Sequence, residues 1–220
     1  MKIKYNKQYI LMALSTFAML FFGCVKEPPI SVYVELEVTS QEPHKAGKKV
    51  NFQITGEGEM FSIFPGDEGH EWSNYPQATG YTLTEYSFEY LYSRGGEFDV
   101  VCIVSSYGNW GDDLNRVTSQ QTIVVIDDRT ILNRIRLKSI NVGGMIDNEN
   151  KTITFSVAPD DDLTNVLVTF TPASPDAIVY YGDQVVEDGV SIIDFTNDVV
   201  LTVVAPNGDE AYYQVIIVVE

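Results

Sequence analysis

The strongest constraint on this chain is a period of two. Thr152-Ile153-Thr154-Phe155-Ser156-Val157 alternates strictly between polar and apolar residues. Successive side chains of a strand point to opposite faces, so such a run buries one face and wets the other. Less regular versions recur at 32–38, 49–54, 86–90, 100–104 and 122–126, and again at 131–137, 166–170, 199–204 and 212–218. Turn residues separate the runs, and no stretch after residue 23 sustains a helical period. Pro206-Asn207-Gly208-Asp209 reads as a hairpin turn, because Asn-Gly readily takes the positive φ that a tight turn needs. The pattern predicts an all-β protein of two antiparallel β-sandwich domains in tandem, at 31–127 and 128–220. The polar Asp127-Asp128-Arg129-Thr130 forms the joint.

Ahead of these strands, Lys2, Lys4 and Lys7 precede an apolar run over 10–22, and Gly23-Cys24 follows. A basic start, a short apolar core and a small residue at the cut make a secretory leader, expected over 1–23. The run is shorter than the roughly 20 residues of a spanning helix. Gly23-Cys24 resembles the lipobox of bacterial lipoproteins. That resemblance implies lipidation of Cys24 and a membrane-anchored mature chain, with 24–30 as a linker. Lys26-Glu27 looks like the surface-export signal of Bacteroidota-type lipoproteins, implying an outer-membrane anchor facing the cell surface, with a periplasmic facing as the alternative. Pro28-Pro29 holds the linker extended.

The chain carries 14 Lys and Arg against 31 Asp and Glu, a net charge of −17. Removing the three leader lysines leaves 11 cations against 31 acids, or −20. Such a balance excludes nucleic acid as a partner, since its affinity comes mainly from cations on phosphates. Cys24 is spent on lipid, so Cys102 has no disulfide partner. It sits in an apolar run with no cation nearby, which makes it a structural thiol.

Gly47-Lys48-Lys49-Val50-Asn51-Phe52, Phe64-Pro65-Gly66-Asp67-Glu68-Gly69 and Tyr92-Ser93-Arg94-Gly95-Gly96-Glu97-Phe98-Asp99-Val100 resemble the PKD-like (polycystic kidney disease) immunoglobulin-type domains of bacterial surface proteins. The second half resembles an immunoglobulin-like domain of unknown function found in lipoproteins of the same kind. Asp162-Leu163-Thr164-Asn165, Asp194-Phe195-Thr196-Asn197 and Val204-Ala205-Pro206-Asn207-Gly208 carry that likeness. The two resemblances imply tandem immunoglobulin-like sandwiches and a surface location, and the second implies no activity.

Chemistry is sparse. His44 and His70 are the two histidines, and His70-Glu71 lacks the second histidine of a zinc-protease helix, with Asn74 at that place. No pair of carboxylates stands out for glycoside hydrolysis. Asp160-Asp161-Asp162 is rich enough in oxygen to be a weak calcium candidate, but it lacks spaced ligands. No cofactor and no catalytic residue is expected. Loop aromatics are the clearer signal: Trp72 and Tyr75 in one Gly/Ser/Asn/Pro-rich segment, Tyr107 and Trp110 in another. Such rings offer apolar area with a polar edge, which suits sugar rings or protein surfaces, or else they fold back as lids. The expected function is a non-enzymatic binding or spacer module on the cell surface, with polysaccharide as the favoured ligand. A structural or adhesion role with a protein partner is the alternative, and a hydrolase the weaker one. Two aromatics exposed on one face of one domain would mark the glycan binder.

Overall fold

The computed structural model describes residues 31–107 and 114–220. The leader, Cys24 and Trp110 lie outside the described residues. Apart from one 3-10 turn at Trp72–Asn74, every regular element described is a strand, and the protein is an all-β sandwich fold. The first half contains β1 (Tyr33–Val38), β2 (His44–Lys45), β3 (Lys49–Glu57), β4 (Met60–Phe64), β5 (Tyr81–Leu83), β6 (Ser87–Leu91), β7 (Gly96–Tyr107) and β8 (Leu114–Ile126). Its sheets are β1-β3-β6 and β2-β8-β7-β4-β5. Between them Val50, Phe52, Ile54, Ile63, Val100, Cys102, Val104 and Ile123 form the core. The alternation in β3, β4, β7 and β8 supplies these side chains, and each large apolar one fully buried contributes about 1.5–3 kcal/mol.

The second half contains β9 (Leu132–Leu137), β10 (Val142–Gly143), β11 (Met145–Asp147), β12 (Thr152–Val157), β13 (Val166–Pro172), β14 (Ile178–Tyr181), β15 (Gln184–Val186), β16 (Ile192–Ile193), β17 (Val200–Val204) and β18 (Glu210–Val219). Its sheets are β10-β9-β13-β16 and β11-β12-β18-β17-β14-β15. Leu132, Ile135, Leu137, Ile153, Phe155, Val168, Leu201 and Tyr213 fill the space between. The run over 152–157 is the strand β12, and β17 and β18 form the hairpin on Asn207-Gly208, with Gly208 at φ 92°. The two Asp-x-Thr-Asn segments are matching turns. Thr164 and Thr196 each donate both amide and hydroxyl to the aspartate two residues before, and the Phe195 amide joins the turns by donating to the Leu163 carbonyl.

Two of the described pairings are parallel, β2 with β8 and β12 with β18. A parallel pair needs a long connection, here β3 to β7 in the first half and β13 to β17 in the second. Local alternation carries no information about that direction.

Buried charge ties the joint together. The Asp127 carboxylate accepts from Arg129 Nη2 at 2.7 Å and from Ser174 Oγ at 2.7 Å. Its carbonyl accepts from the Asn207 amide at 3.2 Å, and Arg129 also donates to the Ser93 carbonyl at 2.7 Å. Arg94 pairs with Asp176 at 3.4 Å. Burial alone would raise the Asp127 carboxyl, but the hydrogen bonds from Arg129 and Ser174 hold it below the ordinary aspartate range.

Candidate functional site: an aromatic roof on the five-stranded sheet

Val101 and Ile103 of β7 point away from the first core, yet both are buried. They join Phe64 in a small separate cluster, against which Trp72 and Ala78 pack. The cover is the loop between β4 and β5, which folds back over the outer face of the sheet. Gly66 lets it do so. At φ +89°, a Cβ there would meet the Asp99 carbonyl oxygen at 2.5 Å, so only glycine permits this close passage against β7. Tyr92, fully buried, adds a second tie by donating its hydroxyl to the Pro65 carbonyl at 2.8 Å. The stretches 64–69 and 92–100, far apart in sequence, thus form one wall.

On this base the aromatics pack with tilted rings. The Trp72 ring lies 5.1 Å from Phe64 and 4.9 Å from Tyr75. Trp72 is half-buried as a pedestal, while Tyr75 is 53% exposed with the Arg116 guanidinium 6.0 Å from its ring centre. Arg116 of β8 pairs with Ser105 of β7, and Tyr107, two residues further, is on the same face and 47% exposed. The structure therefore brings Trp72, Tyr75 and Tyr107 to one face of one sheet.

Beside Trp72 runs a cleft of about 270 Å³. Gly66, Glu71, Trp72 and Ser73 form its loop wall, and Glu97, Asp99, Val101 and Gln120 its sheet wall. Glu71 accepts from the Gly69 amide at 2.9 Å, and backbone hydrogen bonds, its own amide's first, hold its carboxyl below the ordinary range. Asp99 accepts from the Thr122 hydroxyl at 2.6 Å. The cleft thus pairs an indole with hydrogen-bond acceptors, a combination suited to a ligand with an apolar ring face and hydroxyl donors.

Glu71, Glu97, Asp99, Gln120 and Arg116 are absent from the candidates read in the sequence. Alternation does place Glu97 and Asp99 on one face, but the roof that turns that face into a cleft is a tertiary feature. His70, read in the sequence only as part of an incomplete zinc-protease pattern, packs among aromatic rings. It opens a run of rings along the seam between the sheets, 5.1 Å from Tyr81, which lies 5.4 Å from Phe88. Tyr90 continues the seam and donates its hydroxyl to Asp67; burial, then that bond, pushes the phenol far above its usual value.

The calcium candidates serve their own turn. Asp161 accepts from the Ala158 amide at 2.8 Å and Asp162 from Thr164, while Asp160 is exposed. Among the described residues no group of three or more His, Cys, Asp or Glu is placed to hold a metal ion. Cys102 is buried, and burial pushes its thiol up to about 12. No described helix is long and apolar enough to cross a membrane.

Residues 133–217 match the family model described as "SGBP, N-terminal", a domain of surface glycan-binding proteins of Bacteroidales. This similarity covers nearly all of the second half and none of the cleft. A crystal structure from Bacteroides fragilis, of a protein described there as secreted, is 16% identical to this chain. The similarity spans 57% of this chain and 91% of that one, with a TM-score of 0.28, too low to bear on the fold. No curated protein matches the chain in sequence.

Proposed function

We infer that the protein is a non-enzymatic, glycan-binding surface lipoprotein whose binding face is the roofed sheet of the first half. The observation that carries this reading is the meeting of Trp72, Tyr75 and Tyr107 on one face beside an acceptor-lined cleft. Tyr75 and Tyr107 stack against sugar rings, Trp72 supports Tyr75 and walls the cleft, and Glu71, Glu97, Asp99 and Gln120 accept from hydroxyls. The family similarity of the second half to surface glycan-binding proteins supports the ligand class. Glu71 held ionised is the reverse of a general acid, whose carboxyl must be raised. Lipidated Cys24 anchors the chain to the outer membrane, facing outward, and the domains divide at 127/128.

A second reading gives the chain a spacer role, holding a partner off the membrane. The network of Arg129 and Ser174 on the buried Asp127 favours it, since it ties the two halves together. Affinity electrophoresis of residues 31–220, which contain both cores, against a polysaccharide panel tests the two readings. A glycan that retards wild type, and retards Tyr75→Ala and Glu97→Gln far less, supports the binding face. Retardation unchanged by either substitution moves the site elsewhere, and none across the panel leaves the spacer.

A further inference from the structure

The outer face of the six-stranded sheet has no charge over its centre, in a chain of net charge −17. Val179, Leu201, Val203, Ala211, Tyr213 and Val215 enter the core, so their neighbours along each strand point outward. Tyr212, Thr202, Tyr180 and Val185 make one row across β18, β17, β14 and β15. Gln214, Val200 and Thr152 make the next, with Ile216, Thr154 and Met145 beyond. Glu187, Asp198, Glu210, Asp147 and Glu220 border these rows, and Glu220 accepts from the Ser156 hydroxyl at 3.2 Å. Glu210 accepts from the Tyr212 hydroxyl, and Asp147 from the turn amides of Glu149 and Asn150. The opposite sheet of the same half is different: Arg134 and Arg136 stand outward beside Thr171 and Thr169.

The face is apolar as well as neutral. Met145 is 73% exposed, Tyr212 59%, Val185 52% and Ile216 40%. Six strands about 4.8 Å apart, each with about five residues rising 3.3 Å, span roughly 400–500 Å². A patch of this size ranks with the largest on an ordinary monomer, and such patches are often functional.

We propose that this face packs against the same face of a second copy. Two copies of so acidic a chain repel over most of their surface, and here the centre of the contact holds no carboxylate. A two-fold contact sets neutral against neutral. Val, Ile, Thr and Tyr on a bare sheet are also the side chains that interdigitate when sheets stack about 10 Å apart. A pair of such faces removes about 800–1,000 Å² in all, at the low end of specific interfaces, so the dimer is weak. The repelling acids lie around the face rather than in it. Salt screens them over a Debye length of about 8 Å at physiological strength, so dimerisation strengthens with salt, opposite to an interface built on ion pairs.

Sedimentation velocity of residues 31–220 over about 10–300 µM, in about 0.05 M and about 0.5 M salt, tests this. Dimer grows with concentration and is more abundant at high salt. Thr202→Glu weakens it at least about tenfold by setting two carboxylates into one contact. Thr171→Glu, the same change on the opposite sheet, leaves it intact. Should Thr202→Glu melt early by circular dichroism, Tyr212→Ala carries the comparison, and it too weakens the dimer. A monomer throughout at high salt overturns the proposal. So does equal weakening by Thr202→Glu and Thr171→Glu, or a dimer indifferent to Tyr212→Ala.

Discussion

In the first half, a loop crosses the outer face of the larger sheet and buries Val101 and Ile103 beneath Trp72. In the second half, the larger sheet keeps Tyr212, Val200 and Ile216 in the open. Both sheets begin from the same alternation. The roofed face gains a second small core, a close-approach glycine and a cleft where a ligand can be enclosed. The bare face offers only flat contact, whose strength depends on area. A sheet face thus becomes a pocket when something is laid across it, and that something here is fixed by the close passage at Gly66, the Tyr92 hydroxyl bond and the Phe64 contact.

The largest effect expected of a test of this contrast is on the bare-faced half. Phe155 is fully buried at its centre, and Phe155→Ala costs about 3–5 kcal/mol. Both tryptophans, Trp72 and Trp110, lie in the first half, so their fluorescence reports that half alone. If the halves fold independently, urea unfolding of Phe155→Ala by circular dichroism moves while the fluorescence midpoint stays. A fluorescence midpoint that moves equally shows that the joint couples them.

A pair of glycine substitutions comes next. Gly66 and Gly208 have similar φ, +89° and +92°, but a Cβ at Gly66 strikes the Asp99 backbone while one at Gly208 meets nothing within 4 Å. Gly66→Val is expected to cost about 2–4 kcal/mol and to shift Trp72 emission to the red as the roof lifts. Gly208→Ala costs about 1 kcal/mol, with emission unchanged. Equal effects in thermal melts would mean that the close approach contributes nothing.

Asp127→Asn at the joint should cost about 1–3 kcal/mol. Because the folded Asp127 carboxyl is held low, its contribution is complete above the unfolded value of about 3.9 and is lost as pH falls through the lower folded value. Small-angle scattering should therefore show the wild type loosening in acid toward the dimensions of Asp127→Asn. The smallest expected signal is Cys102, whose thiol is buried and raised to about 12. It should resist alkylation at pH 8 in the native state and react only when urea opens the first half.

Much of the strand pattern was legible because alternation is local. Residues 152–157, 166–170 and 199–204 carry it openly, and Asn207-Gly208 marks its turn. Short strands such as β14, β15 and β16 escaped, since two to four residues give no period, and the parallel pairings escaped because direction is not a local property. Of the site, Trp72, Tyr75 and Tyr107 were legible as rings on loop-like segments. Glu97 and Gln120 were not, because a carboxylate or amide on a wet strand face looks the same with or without a roof.

The sequence by itself determined the all-β class, the strong negative charge and the residues that alternate into the cores, because burial of every second side chain follows from backbone geometry. The tertiary structure alone decided which outer face is covered and which is bare. That choice depends on the 64–80 segment meeting residues 92–103 through Gly66, Tyr92 and Phe64, contacts between stretches that no local pattern connects.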